Sequence, residues 1–210
     1  ADYLAENIDE GNESTAFTVK YQDKAVEITL PCIGKHNILN ALSAFCIGIN
    51  SGVSEAEIVN ALKKYKPNGL RQNIVKKGEQ TIIIDCYNAS PDSMKASLSV
   101  LLQVKAKHNG RKIAVLGDML ELGAMSKQLH ENVGKLSEMA DVDKLFTYGK
   151  ESAYIADKAQ ELGVETFHTD DKIRLINALK AYLKADDVVL FKGSRGMRLE
   201  EVIDGLYGVN

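Results

Sequence analysis

No stretch of the 210-residue chain is apolar over the length a bilayer requires, which excludes a helical membrane span. The first residues, Ala1-Asp2-Tyr3-Leu4-Ala5-Glu6, lack the basic and apolar regions of a secretory signal. Runs of lysine and arginine are missing too. The formal net charge is −3 with both signs interspersed, which excludes the electrostatic footprint of a nucleic-acid binder but leaves room for an anionic small molecule at a local site. Cys-x-x-Cys is absent and the four histidines are scattered, so no zinc-type ligand cluster can be read. The three cysteines, Cys32, Cys46 and Cys86, are odd in number, dispersed and set among apolar neighbours. Such thiols suit a reducing, cytoplasmic compartment. Internal repeats and low-complexity segments are also lacking. What is present is a hydrophobic content of 45%, ordinary for a globular protein, in a length that holds one large domain or two small ones.

The chain is organised around Thr81 to Met94. Ile82-Ile83-Ile84, bounded by polar residues, reads as a strand covered on both faces, and Ser90-Pro91 supplies an N-cap followed by proline at the first helical position. Met94, Leu98, Leu101 and Leu102 then recur at helical spacing. The strand delivers Asp85 and the turn delivers Asn88 to the carboxyl end of a sheet, where ligands collect in open α/β folds. The competing reading is that both side chains merely shape a tight turn.

Upstream, Tyr3–Ile8, Thr15–Lys20 and Ala25–Leu30 read as a small β-meander. Leu39, Leu42, Phe45, Cys46 and Ile49 then form a helical stripe, and Ser54 with Glu57 makes a capping box for a second helix. Lys66-Pro67-Asn68-Gly69 breaks the pattern and marks a domain boundary, giving units 1–69 and 70–210. Downstream, strands at 73–76, 81–85, 113–116, 144–148, 164–167 and 188–191 alternate with helices. Asp170 is the expected cap of the helix through Ile173, and Met197, Val202 and Leu206 mark the last one. Alternation of this kind implies a mostly parallel sheet with helices on both faces.

Four strand ends carry polar or glycine-rich turns: Asp85-Cys86-Tyr87-Asn88, the Gly117–Gly123 segment, Tyr148-Gly149-Lys150, and Lys192-Gly193-Ser194-Arg195-Gly196. The last offers two cations, a hydroxyl and backbone N–H groups, which make either a carboxylate or phosphate cradle or a solvated basic loop. Asp118 and Glu121 suit a substrate ammonium or a metal, and equally the start of a following helix. His130, four residues after Ser126, reads as a surface or satisfied core histidine. Gly34-Lys35 lacks the spacing and the hydroxyl residue of a Walker motif. Asn37 and Asn40, at a helix start, suit either an adenine edge or ordinary capping.

Taken together, Gly34-Lys35-His36-Asn37-Ile38-Leu39-Asn40-Ala41, the Asp85–Met94 segment, Gly117–Gly123 with His130, and Lys192–Met197 resemble motifs of the Mur ligases of bacterial cell-wall synthesis, in the family's order. Ser90 stands where the family commonly has asparagine, a change that keeps the cap. The resemblance implies a Rossmann-like C-terminal domain over 70–210 preceded, in 1–69, by the tail of an ATPase domain. The family's nucleotide-sugar domain and phosphate-binding loop have no counterpart, so a fragment is expected. The implied activity is ATP-dependent amide ligation, and Tyr87-Asn88-Ala89 points to the member that joins D-alanyl-D-alanine to a UDP-N-acetylmuramoyl tripeptide. By motif match, His36, Asn37 and Asn40 would lie at adenine, and Arg71 and Asp85 at the phosphates and ribose of ATP. Asn88, Asp118, Glu121, Lys192, Ser194 and Arg195 would line the dipeptide pocket, with the Mg2+ ligands upstream. A sibling Mur or folylpolyglutamate-type ligase, and a non-catalytic α/β binding module, are the competing readings.

Overall fold

Alternation of apolar and polar residues builds the first unit. In the computed structural model, which describes residues 2–11, 14–66, 69–106, 108 and 110–208, β1 (Leu4–Glu10), β2 (Thr15–Tyr21) and β3 (Lys24–Leu30) form an antiparallel sheet in that order. The β2–β3 hairpin turns through Gln22 and Asp23, both at positive φ, the geometry whose twist matches that of the flanking strands. One face of the sheet presents Phe17, Val19, Tyr21, Ile28 and Leu30 to α1 (Lys35–Asn50) and α2 (Glu55–Lys63), where Ile38, Ala41, Phe45 and Ile58 complete the core. Tyr21 packs edge-on to Phe45 with centroids 5.2 Å apart. The expected capping box of α2 is present, with Ser54 accepting from the Glu57 N–H and Glu57 from the Ser54 N–H. The stripe on α1 is rotated from the expected one: Ile38 is inside and Leu39 is 65% exposed.

The chain divides into two compact units, Ala1–Pro67 and Asn68–Asn210. Pro67 and Asn68, at the centre of the expected boundary, lie outside the described residues.

The second unit is a six-stranded sheet made of β4 (Asn73–Lys77), β5 (Gln80–Asp85), β6 (Lys112–Gly117), β7 (Lys144–Tyr148), β8 (Thr166–Thr169) and β9 (Val188–Lys192). The spatial order is β4-β5-β9-β6-β7-β8, with β4 antiparallel and every other pairing parallel. The last strand therefore fills the middle of the sheet. All five β9 residues are buried, as a strand covered on both faces requires. Helices α3 (Pro91–Gln103), α4 (Ser126–Met139), α5 (Ala153–Glu161), α6 (Lys172–Tyr182) and α7 (Leu199–Tyr207) cover it. Ile82, Ile113, Val115, Phe146, Val189 and Phe191 cluster with Leu175 and Leu179 of α6 and with Leu199 and Val202 of α7. Side chains alternate across a strand, so Asp85 and Lys192 point to the opposite face, which α3 covers.

Three expected boundaries shift for identifiable reasons. Gly163 at φ +88, with the Val164 N–H on the Ala159 carbonyl and the Gly163 N–H on the Gln160 carbonyl, makes a Schellman close of α5. Val164 is its apolar partner, so β8 begins two residues later than its hydrophobicity suggests. Asp171, not Asp170, caps α6, its Oδ1 accepting from the Ile173 and Arg174 N–H groups at 2.8 and 3.0 Å. Met197 belongs to a 3-10 turn over Arg195–Met197, ahead of α7. Leu102, expected on the inner face of α3, is exposed.

Candidate functional site

Register brings the four strand ends together. Asp85 of β5 pairs with Lys192 of β9, Lys192 with Leu116 of β6, and Gly117 with Tyr148 of β7. The four polar turns thus share the carboxyl edge of adjacent strands, the position at which open α/β sheets bind ligands.

At one corner of this edge the charges are committed. Lys192 is 1% exposed, and its Nζ donates to Asp85 Oδ2 at 2.8 Å and to the Asn88 carbonyl at 3.0 Å. Burial pulls its ammonium below the usual lysine range, and Asp85 opposes that pull. Ser97 of α3, fully buried, places Oγ 2.5 Å from the same Oδ2, while Oδ1 of Asp85 accepts from the Gln72 N–H at 3.3 Å. Tyr87 N–H bonds the Leu70 carbonyl, and the Arg71 guanidinium stacks 4.1 Å over the Tyr87 ring. The β5–α3 turn therefore holds residues 70–72 by backbone, ring and carboxylate. Asn88 is exposed, its Oδ1 accepting from the Ala89 N–H at 2.9 Å.

Cys86 turns to the other face and is fully buried among the residues packed on α6 and α7. Burial, followed by the Glu200 and Asp85 carboxylates, pushes its thiol up to about 12.

The adjoining turn is braced by backbone. Asp118, buried, accepts the Ser152 N–H on Oδ1 at 2.7 Å and the Ser194 N–H on its carbonyl at 3.0 Å. Gly149 at φ +119 makes room for it, since a Cβ there would sit 2.4 Å from Asp118 Oδ1. Ser194 Oγ accepts the Leu120 N–H at 2.9 Å. His130 is fully buried; its Nε2 accepts the Met119 N–H at 3.0 Å and Nδ1 lies 2.8 Å from the Ser126 carbonyl. It is the satisfied core histidine of the two readings, those partners placing a hydrogen on Nδ1 and an acceptor at Nε2. Beyond the brace the rim is open: Glu121, at φ +67, and Arg195 are exposed, and Arg195 pairs with Glu200 at 2.5 Å.

In the first unit, Asn37, Asn40, Leu30, Ala41, Leu62 and Tyr65 are among the residues lining a pocket of about 150 Å³. Asn37 and Asn40 are one helical turn apart on α1 and so share a side of it. Asn37 Nδ2 donates to the Ile33 carbonyl at 2.8 Å, bracing the entry to the helix, and Asn40 is exposed. His36, beside them, is half-buried.

Among the described residues, no group of three or more His, Cys, Asp or Glu side chains could hold a metal ion. No helix of the described residues is long and apolar enough to cross a membrane.

Sequence reasoning missed Ser97. Its signal was a serine inside the apolar stripe Met94, Leu98, Leu101, on the face of α3 turned to the sheet.

The family model described as Mur ligase, glutamate ligase domain, matches residues 70–195. The chain belongs to the Mur ligase family. A UDP-N-acetylmuramoyl-tripeptide–D-alanyl-D-alanine ligase of Bacillus subtilis is 36% identical over 98% of this chain, and one of Escherichia coli is 34% identical over 98%. The chain covers 45% and 44% of those two relatives and so spans slightly less than half their length. Among solved structures, MurF of Acinetobacter baumannii is similar at TM-score 0.84 and 31% identity over 99% of this chain and 45% of that one. MurF ligase of Thermotoga maritima, determined in complex with ADP, is similar at TM-score 0.79 and 26% identity over 98% of this chain and 46% of that one. The Mur ligase match covers the four strand ends of the sheet edge almost completely.

Proposed function

We propose that this chain is the carboxyl-terminal part of an ATP-dependent ligase that joins D-alanyl-D-alanine to a UDP-N-acetylmuramoyl tripeptide. In this reading 1–69 is the end of the ATP-binding domain, 70–210 is the C-terminal ligase domain, and the enzyme works in the cytoplasm. The observation that carries it is the sheet edge itself, where a paired Asp85 and Lys192 stand beside the Asp118–Glu121 and Ser194–Arg195 turns. The named activity of the 36% and 34% identical relatives supports the same reading.

A carboxylate is a poor electrophile until one of its oxygens becomes a leaving group. Activation of the tripeptide carboxyl as an acyl phosphate supplies that, and attack by the dipeptide amine gives a tetrahedral centre whose charge fixed donors must meet. In the proposed assignment, Asn37 and Asn40, with His36 beside them, present amide and ring groups to adenine. Arg71, steadied on Tyr87, and Asp85 address the phosphates and ribose. Arg195, Glu121 and Asn88 face the dipeptide, the cation suiting its carboxylate and the Glu121 carboxylate its ammonium before deprotonation. Asp118, Lys192 and Ser194 contribute to that pocket by holding its walls in place, since each is buried and already engaged.

The test is phosphate release from ATP by the full-length protein that carries this chain, given UDP-N-acetylmuramoyl tripeptide with and without D-alanyl-D-alanine. Release that requires the dipeptide and drops at least a hundredfold in Asp85→Ala is expected. Release that ignores the dipeptide but responds to a single amino acid points to a sibling ligase, and none with any acceptor leaves a binding module.

A further inference from the structure

Among the described residues, Asp85 is the carboxylate on the sheet edge that three separate segments reach. Lys192 comes from β9, Ser97 from α3, and Gln72 from the segment that precedes β4, and they do not share it evenly. Oδ2 takes the two strong donors, the Lys192 ammonium at 2.8 Å and the Ser97 hydroxyl at 2.5 Å. Oδ1 takes one long bond, from the Gln72 N–H at 3.3 Å. A hydroxyl has a single hydrogen, and Ser97 Oγ also lies 3.0 Å from the Ser93 carbonyl, the usual resting place of a helical serine. The ionised, nearer acceptor wins that hydrogen. Both donors are fully enclosed, so neither is available to a ligand from solvent. Asp85 keeps 13% of its side chain exposed.

We infer that Ser97 and Lys192 are positioning residues for Asp85: they fix Oδ2 to the protein from two sides and leave Oδ1 as the edge that addresses a ligand. This rests on the reading of Asp85 as a nucleotide-contacting group. Lys192 also holds the Asn88 carbonyl, so it sets the path of the β5–α3 turn as well as the carboxylate plane. Among the described residues, the Ser97 hydroxyl hydrogen-bonds to the carboxylate and to its own helix and bridges to no other element, which makes it the cleaner probe. Without its hydrogen bond the carboxylate retains one strong tether and can rotate about it. The weak Gln72 contact does not oppose that rotation. Placement errors of an ångström at a reacting group have large kinetic effects, and a hydrogen bond to a charged acceptor is among the stronger ones.

The experiment is a double-mutant cycle in the full-length protein, read as dipeptide-dependent phosphate release, with Ser97→Ala, Ser97→Cys, Asp85→Asn and the combination of Ser97→Ala with Asp85→Asn. Ser97→Ala is expected to lower kcat/KM for ATP about tenfold, a factor typical of a charge-assisted hydrogen bond. KM for the dipeptide stays within about twofold. Ser97→Cys keeps the packing but weakens the donor and falls between wild type and alanine; it carries the test if the alanine variant does not fold. In the Asp85→Asn background Ser97→Ala has no further effect, because the group it positions is already altered. A purely structural role gives additive losses instead, and additivity overturns the inference, as does an unchanged Ser97→Ala enzyme. Wild-type protein that releases no phosphate in response to the dipeptide overturns the functional reading, and the inference with it. Wild-type activity with a silent serine overturns the inference alone.

Discussion

The Asp85–Lys192 corner and the Glu121–Arg195 rim lie along the same sheet edge and are built on opposite terms. At the corner, a cation 1% exposed and a carboxylate 13% exposed are locked by partners from β9 and α3. At the rim, the charges stand in water and the positions are set by backbone N–H groups behind them, those of Ser152 and Ser194 donating to Asp118, that of Leu120 to Ser194 and that of Met119 to His130. A group whose neutralisation partner is buried cannot be exchanged without disturbing the fold, whereas a group carried on a braced loop can. Under the proposed function, the rim is where acceptor preference is free to vary, and the corner is where the chemistry shared with the relatives is held.

Lys192→Met breaks this contrast most severely. It leaves Asp85 without its charge partner and the Asn88 carbonyl without its donor, and removal of one member of such an enclosed pair destabilises by about 3 kcal/mol. Urea denaturation of the chain, comparing midpoints with wild type, reads the loss. A variant with an unchanged midpoint would mean that the corner is as dispensable as the rim.

The neighbour of Asp85 sharpens the comparison through pH. The Cys86 thiol, pushed up to about 12 by burial, Glu200 and Asp85, stays protonated in the fold while the same thiol in the unfolded chain ionises near 8.5. Between those values the unfolded state binds fewer protons, so stability falls as pH rises. Lys192 works in the opposite sense, its lowered ammonium adding stability over the alkaline range as the fold loses that proton first. Comparison with Cys86→Ala isolates the thiol: the gap in unfolding free energy between wild type and variant shrinks by about 2 kcal/mol from pH 8 to pH 10. A gap independent of pH would place the thiol in contact with solvent.

Arg195→Ala marks the other end of the scale. Its ion pair with Glu200 is more than half exposed on the arginine side, and such pairs contribute about 0.5 kcal/mol or less. The melting temperature should hardly move. Under the proposed function the same change raises KM for D-alanyl-D-alanine about tenfold or more, and steady-state kinetics with the dipeptide varied would check it. An enzyme with an unaltered KM removes Arg195 from the pocket.

Much of this was readable beforehand because the strands are short and strongly apolar. Ile82-Ile83-Ile84 and Val188-Val189-Leu190-Phe191 announce themselves as covered strands, and Ser54 with Glu57 and Ser90 with Pro91 announce the helix starts they cap. The order of strands was not readable, because nothing local tells β9 to enter between β5 and β6. Val164 misled for a local reason: an apolar residue after a left-handed glycine closes a helix as readily as it opens a strand. At the site, the acids and cations stood out by type, but their burial did not. Lys192 looked like a pocket group because its sequence neighbours are glycine, serine and arginine, and only the pairing with Asp85, 107 residues away in the chain, encloses it. Ser97 was hidden by its ordinariness, since serine is nearly neutral in a helix and its partner belongs to another element.

The central place of β9 bears on how the protein comes into being. Strands β5 and β6 are made early, yet they pair only through a strand that follows both by some seventy to a hundred residues. Until that strand arrives, each presents an unsatisfied edge, and Asp85 has neither its cation nor its sheet neighbour. Long-range pairings of this kind form late because chain closure precedes any gain from them. Every chain on the ribosome that stops short of Val188 therefore carries the Asp85–Asn88 and Gly117–Gly123 turns without the strand that joins them, and exposes the strand edges that invite aggregation. Synthesis of β9, more than that of any single motif, is the event that assembles this edge.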